Sequence, residues 1–314
     1  MKLYLVTGGG GFIGSHVVRG LLQREQRVRV LDNFLTGKRE NLAEVASSIE
    51  LMEGDIRDEK TMEAAVREVS YIIHLGALPS VPRSVENPLL TTDINVNGTV
   101  CVLNAARRHG VKRVVFASSS SVYGDSPEFP RVETQTPGPL SPYAVSKLAG
   151  EYYHVCFYKL YGLETICLRF FNVFGPRQDP TSQYSAVIPK FITAALQDRP
   201  PIVHGDGEQT RDFTFVSDVV EAVYKACHAP AAAGEILNVA CARRTSLNRL
   251  LELLSDLSGK KIVPEHTAPR PGDVRDSLAQ ISKAEKLLDY RPSVSMAEGL
   301  VQTYKWYLSQ TQSK

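Results

Sequence analysis

A short apolar run, Lys2 to Val6, meets Thr7-Gly8-Gly9-Gly10-Gly11-Phe12-Ile13-Gly14, and Ser15 to Arg24 then reads as a helix. No other stretch narrows the possible folds as much. A strand that turns through glycines into a helix presents bare backbone N–H groups and a positive helix end to an anion. In that setting the glycine pattern predicts a dinucleotide site. Gly8 and Gly11 let the backbone approach a pyrophosphate on the helix that Phe12 and Ile13 lead into, and Gly14 lets helix and strand pack closely. The spacing is G-x-x-G-x-x-G rather than G-x-G-x-x-G.

The alternation then repeats. Arg27 to Leu31 reads as a second strand and ends in Asp32, 18 residues after Gly14. An acid there accepts hydrogen bonds from adenosine ribose hydroxyls and repels a 2′-phosphate, which predicts NAD rather than NADP. Asn33 follows, with Lys38 and Arg39 nearby. A third strand, Ile49 to Met52, leads into Gly54-Asp55-Ile56, placed to reach the adenine edge. Residues 59–69 look helical, and Tyr71 to Leu75 is the fourth strand. It runs through His74-Leu75-Gly76-Ala77, small residues where a flat cofactor passes. Pro79 to Pro88 reads as a loop, and a helix over 89–108 carries the polar Asn95 among apolar residues. The fifth strand, Val111 to Ala117, runs into Ser118 to Ser121 and Val122-Tyr123-Gly124, and at least two of those serines are expected only to cap backbone. Thr165 to Phe170 is the sixth strand. Such alternation implies a parallel, doubly wound α/β sheet. Ligands of these sheets sit at the carboxyl ends of the strands, so Gly8, Asp32, Ala77, Ser119 and Asn172 share one edge.

Charge excludes some partners. With 36 basic and 34 acidic residues the chain carries +2, so no global field draws nucleic acid or a membrane surface. The five cysteines, at 101, 156, 167, 227 and 241, show neither C-x-x-C nor metal spacing and predict reduced hydrophobes and no metal. No apolar run reaches the roughly 18 residues of a membrane span. The first strand begins at residue 2 without the charged lead and apolar core of a signal peptide. The expectation is a soluble, cytoplasmic protein.

Ser141-Pro142-Tyr143-Ala144-Val145-Ser146-Lys147 opens a helix, because Pro142 suits a first turn. Tyr143 and Lys147 then share one face. The apolar stripe Val145, Leu148, Tyr152, Val155 and Cys156 falls opposite and is expected to be the packing face. A phenol with a pKa of about 10 is a poor base, and an adjacent ammonium favours the phenolate, so the pair reads as a tuned proton acceptor.

TGGGGFIGSH (7–16), SSSSVYG (118–124), Tyr143-x-x-x-Lys147 and LRFFNVFGPR (168–177), in that order, make the chain resemble the extended short-chain dehydrogenase/reductases, and within them the nucleotide-sugar epimerases. The match runs from residue 2 to about residue 310. It implies a Rossmann-type NAD-binding domain over 1–176, re-entered around 213–240, and a smaller α/β UDP-sugar-binding domain over 177–314. It implies Tyr143 as base, Lys147 as the residue that orients the nicotinamide ribose and lowers the Tyr143 pKa, and Ser119, with Ser120 beside it, at the reacting hydroxyl. Asn33, Ile56, Leu75, Gly76 and Asn95 join the cofactor contacts. Related dehydratases carry Asp-Glu where Ser120 and Ser121 stand, and related decarboxylases place Glu before Val-Tyr-Gly. With those acids missing, the resemblance favours an epimerase.

For the second half the resemblance places Asn172 at the substrate diphosphate, and Val187 and Lys190 of a helix over 186–197 near uracil. It gives Arg211 and Arg270 to the diphosphate, which suits the two parallel donors of a guanidinium. Asp273 is expected to accept from the nucleotide ribose. Ser277 falls at a gate beside the sugar 2-substituent, where a small residue accompanies N-acetylated sugars. Helices are expected at 217–229, 246–258 and 296–308, the last burying Trp306. The implied protein is a UDP-sugar 4-epimerase with tightly held NAD, paired as a homodimer through helices 89–108 and 142–161. The alternatives are a UDP-glucuronate decarboxylase or epimerase, or a non-catalytic NAD-sensing protein.

Overall fold

The structure, a computed structural model, describes residues 1–180, 186–269 and 275–312. Seven strands form one parallel sheet: β1 Leu3–Thr7, β2 Arg27–Asp32, β3 Glu50–Glu53, β4 Tyr71–His74, β5 Arg113–Ser119, β6 Glu164–Phe170 and β7 Ile236–Val239. Their spatial order is β7-β6-β5-β4-β1-β2-β3. β1 is buried along its whole length, as a parallel strand covered on both faces must be. The order reverses between β1 and β4, which opens a crevice at their carboxyl ends.

Two apolar layers close the sheet. On one face the helices Phe12–Leu22 and Val216–His228 pack through Val17, Val18, Val219 and Val223 onto Tyr4, Val6 and Ile73. On the other, Glu59–Ala65 and Gly98–Arg108 bring Met62, Val102 and Leu103 onto Leu5, Ile72 and Val114. A third cluster lies in the second half, where Ile188, Phe191 and Ile192 of helix Val187–Leu196 meet Leu250 and Leu254 of helix Leu247–Ser258 and Leu300 of the final helix, Met296–Gln312. There Tyr307 takes the buried position and Trp306 is only partly covered.

Three expectations need correction. The stretch read as a loop before Pro88 contains the helix Val81–Glu86, capped by Ser80, and the single helix expected over 89–108 is built from three pieces. Its middle piece, Asp93–Asn97, winds wider than an α-helix, a feature often found next to functional sites. The helix Pro142–Tyr161 has the expected ends: Ser141 Oγ accepts from Ala144 N at 3.1 Å, and Gly162 stops it at φ 69°. Its orientation is the reverse of the expected one. Val145 and Tyr152 are 52 % and 60 % exposed, while Lys147, Gly150, Glu151 and His154 are buried. The reason is spatial. The Phe116 ring lies so close to Gly150 that a Cβ there would be 2.5 Å from Cζ, so the small-residue face is the one that fits the sheet.

Candidate active site

A cleft of about 790 Å³ follows the carboxyl edge of β1, β2, β4 and β5. Gly8, Gly11, Phe12, Ile13 and Gly14 form its floor. Gly8 has φ 71°, and a Cβ there would come within 2.8 Å of Gly76 N; one at Gly14 would come within 2.1 Å of Gly8 O. The helix that starts at Phe12 has no side-chain cap and no acid in its first turn, so its N-terminal N–H groups suit a diphosphate.

Asp32, Asn33, Asp55 and Ile56 line one end. Asp32 Oδ2 accepts from Gly10 N and Oδ1 from Phe34 N, both at 2.8 Å. Burial raises its pKa, and those two N–H groups oppose the rise. Asn33 Nδ2 donates to Asp55 Oδ2 at 2.9 Å, and Arg57, the larger influence, holds the Asp55 carboxyl at about 2. Asn95, placed among the cofactor contacts from the sequence, sits behind the wall. Its Oδ1 accepts from Leu78 N at 2.7 Å, and its Nδ2 donates to Leu78 O and Ser146 Oγ.

Leu75, Gly76, Ala77, Ser119, Ser120, Tyr143 and Lys147 line the cleft with Asn172. Ser119 Oγ accepts from Ser121 N at 3.2 Å and from Ser121 Oγ at 2.9 Å, and it shares the cleft with the Tyr143 side chain. Lys147 Nζ donates to Ala117 O at 2.9 Å and lies 5.8 Å from the Tyr143 ring centre. The expected lowering of the phenol pKa by Lys147 is not what the structure shows. Burial raises Tyr143, with the Ser119 hydrogen bond opposing it, and burial brings Lys147 down to about 8. Desolvation disfavours the phenolate and the ammonium alike, and it outweighs their attraction.

A second cavity of about 750 Å³ is lined by Val187, Lys190, Phe191, His204, Arg211 and Phe213 among others. Arg211 Nη1 donates to Thr210 O and Arg275 O. Asn172, Val173 and Ala186 line both cavities, which therefore meet at one wall. Asn172 holds φ 34°, and its Nδ2 donates to Asp212 O at 3.2 Å and to Ser277 Oγ at 3.4 Å. Arg270 and Asp273 lie outside the described residues.

Several residues here were not anticipated. Ser80, Arg83 and Gln178 line the cleft, and Ser80 has φ 98°, a backbone conformation rare for a side-chain-bearing residue. Buried Asp212 accepts from Cys241 N at 2.9 Å and Ala279 N at 3.1 Å, tying together three distant segments. Its position beside Arg211 was the available signal; its partners lie far away in sequence.

A dinucleotide cleft that carries Ser119, Tyr143 and Lys147 at the strand ends and opens onto a second cavity defines an enzyme of the short-chain dehydrogenase/reductase class. The comparisons agree. UDP-glucose 4-epimerase of Mycolicibacterium smegmatis is 39 % identical over 98 % of this chain and 99 % of its own. The structure of UDP-N-acetylglucosamine 4-epimerase from Methanobrevibacter ruminantium M1 in complex with UDP-N-acetylmuramic acid superposes with a TM-score of 0.95 at 39 % identity, covering 98 % of this chain and 99 % of that one. That of Thermus thermophilus UDP-glucose 4-epimerase in complex with NAD gives 0.88 at 38 % identity, with 98 % and 99 % covered. Residues 4–240 match the NAD dependent epimerase/dehydratase family, and the chain belongs to it.

Proposed function

We propose that the protein is a cytoplasmic UDP-sugar 4-epimerase that interconverts UDP-N-acetylglucosamine and UDP-N-acetylgalactosamine, and UDP-glucose and UDP-galactose as well. The observation that carries this reading is the wall shared by the two cavities. A sugar nucleotide seated with its base by Val187 and Lys190 and its diphosphate by Arg211 and Asn172 extends its sugar over that wall toward Tyr143. In this reading residues 1–176, re-entered at 213–240, hold the cofactor, and 177–314 hold the nucleotide.

The Tyr143 oxygen takes the proton of the sugar 4-hydroxyl, which Ser119 Oγ orients. Bound NAD supplies reversible hydride acceptance from C4. Lys147, fixed to Ala117 O, orients the nicotinamide ribose. With Ser120 and Ser121 in place of acids, this chain has no second acid and base there for elimination, so the 4-keto sugar can only be reduced again. The diphosphate stays anchored while the sugar turns past small serines and glycines.

Ser277 supports acceptance of N-acetylated sugars. Its hydroxyl lies by Asn172 at the wall, and a phenol there would fill space that an acetamido group needs. The outward apolar face, with Val85, Leu89, Tyr152 and Leu160 each at least 60 % exposed, supports a homodimer. The test is a product assay on both sugar pairs. Both should turn over, denatured protein should release NAD(H), and Ser277→Tyr should depress the acetylated pair selectively, by about 5- to 150-fold for overpacking of roughly 1–3 kcal/mol. Equal slowing of both pairs, or a wild type confined to the plain sugars, overturns the gate. NADP in place of NAD overturns the cofactor assignment.

A further inference from the structure

Helix Pro142–Tyr161 buries a charge that the reaction does not use. Glu151 is 0 % exposed, and its carboxylate is fully engaged. Arg169 Nε and Nη2 donate to Oε1 and Oε2, both at 2.8 Å, and Ser118 Oγ donates to Oε1 at 2.5 Å. Arg169, itself 2 % exposed, stands opposite Ser118 in the β5–β6 register. Its guanidinium also lies 4.6 Å over the Tyr123 ring, whose hydroxyl donates to Asn238 Oδ1 on β7 at 2.7 Å. One carboxylate thus joins the helix to two strands, and through Arg169 and Tyr123 to a third.

The spacing gives this burial a purpose. Tyr143, Lys147 and Glu151 recur every four residues and share one helix face. They face three successive residues of β5: Lys147 donates to Ala117 O, Glu151 accepts from Ser118 Oγ, and Tyr143 lines the cleft beside Ser119. A buried ion pair is often no better for stability than a well-packed apolar pair, and its best-attested use is to fix register. A slip of one residue, about 1.5 Å along the axis, would break the bidentate contact and carry Tyr143 off Ser119. We infer that Glu151, held by Arg169 and Ser118, is a positioning residue that sets the register of this helix against β5, so that the Tyr143 hydroxyl meets Ser119. The inference rests on the proposed role of Tyr143 as proton acceptor and goes beyond it.

Ser118→Ala, which removes one hydroxyl, and Glu151→Asp, which keeps the charge but shortens its reach, test it in the NAD-loaded protein. The readouts are kcat, KM and the ultraviolet phenolate titration of Tyr143, identified by difference from Tyr143→Phe. Both variants should move that titration to higher pH and lower kcat by roughly 10- to 100-fold, the scale of a misplacement near 1 Å, with KM within about twofold. Ser118→Thr, which keeps the hydroxyl, should restore both. An unmoved titration, or a loss of kcat that Ser118→Thr does not restore, overturns the inference. If Glu151→Asp fails to fold, the two Ser118 variants decide it. A wild type with no Tyr143-dependent phenolate signal would instead strike down Tyr143 as the base, which is a distinguishable failure.

Discussion

The two ends of the proposed substrate path are held in place by different means. At the catalytic end, Ser119 and Tyr143 belong to β5 and to the helix over it, and the seven-strand sheet fixes both. At the nucleotide end no long strand is available among the described residues. Arg211 sits on a two-residue strand, Thr210–Arg211, paired with Thr245–Ser246, and Ser277 hangs from Thr210 by its backbone N–H. The work done by the sheet at one end falls to Asp212 at the other. The two buried acids differ in the same way. Glu151 faces a guanidinium, whereas the hydrogen-bond donors to Asp212 among the described residues are backbone N–H groups, and burial pushes its carboxyl up to about 6. At the catalytic end the sheet and a buried ion pair share the task of positioning; at the other end one carboxylate carries it.

The largest effect expected breaks the catalytic side alone. Tyr143→Phe should lower kcat by at least the roughly 10²–10⁴-fold typical of general acid–base groups, while cofactor content and KM persist. Near wild-type turnover would remove Tyr143 from the chemistry.

Asp212→Asn attacks the other end. An amide sets N–H groups against N–H groups, and each buried donor left unpaired costs about 1–3 kcal/mol. KM for the UDP-sugar should rise more than kcat falls, and a kcat effect without a KM effect would erase the contrast between the two ends. The same variant sharpens it through pH. A carboxyl raised from 3.8 to about 6 on folding contributes stability that is fully present below its unfolded value and is lost as pH rises through its folded value. The wild type should therefore lose on the order of 2 kcal/mol between those pH values that Asp212→Asn does not lose, read as thermal midpoints across that range. Parallel curves would show that Asp212 does not titrate there.

The smallest effect concerns the cofactor edge. Asp32→Asn keeps the shape but removes the charge facing a 2′-phosphate, so NADP binding should improve relative to NAD by about tenfold, near 1.4 kcal/mol. An unchanged ratio of affinities would remove Asp32 as the selector.

The catalytic end was largely legible in the sequence and the nucleotide end much less so. Gly8, Asp32, Ala77 and Ser119 could be placed on one edge because each follows an apolar run, and strand ends follow from periodicity. The helix face was misread by the same periodicity. Val145 and Tyr152 look like the inner stripe, yet the inner face is polar because Ser118, Ala117 and Arg169 satisfy it from distant parts of the chain. Local pattern carries no record of such partners. Asp212 was passed over for the same reason, its donors at Cys241 and Ala279 being visible only once the chain is folded.

The wall formed by Asn172, Val173 and Ala186 belongs to both cavities, so under the proposed function NAD and the sugar nucleotide are thermodynamic neighbours as well as reaction partners. Whichever orders that wall first leaves less ordering for the other. Reciprocity then requires the sugar nucleotide to tighten NAD by the same factor by which NAD tightens the sugar nucleotide. Titrating UDP into protein with and without NAD measures that factor directly, and a factor of one would mean that the shared wall is already rigid.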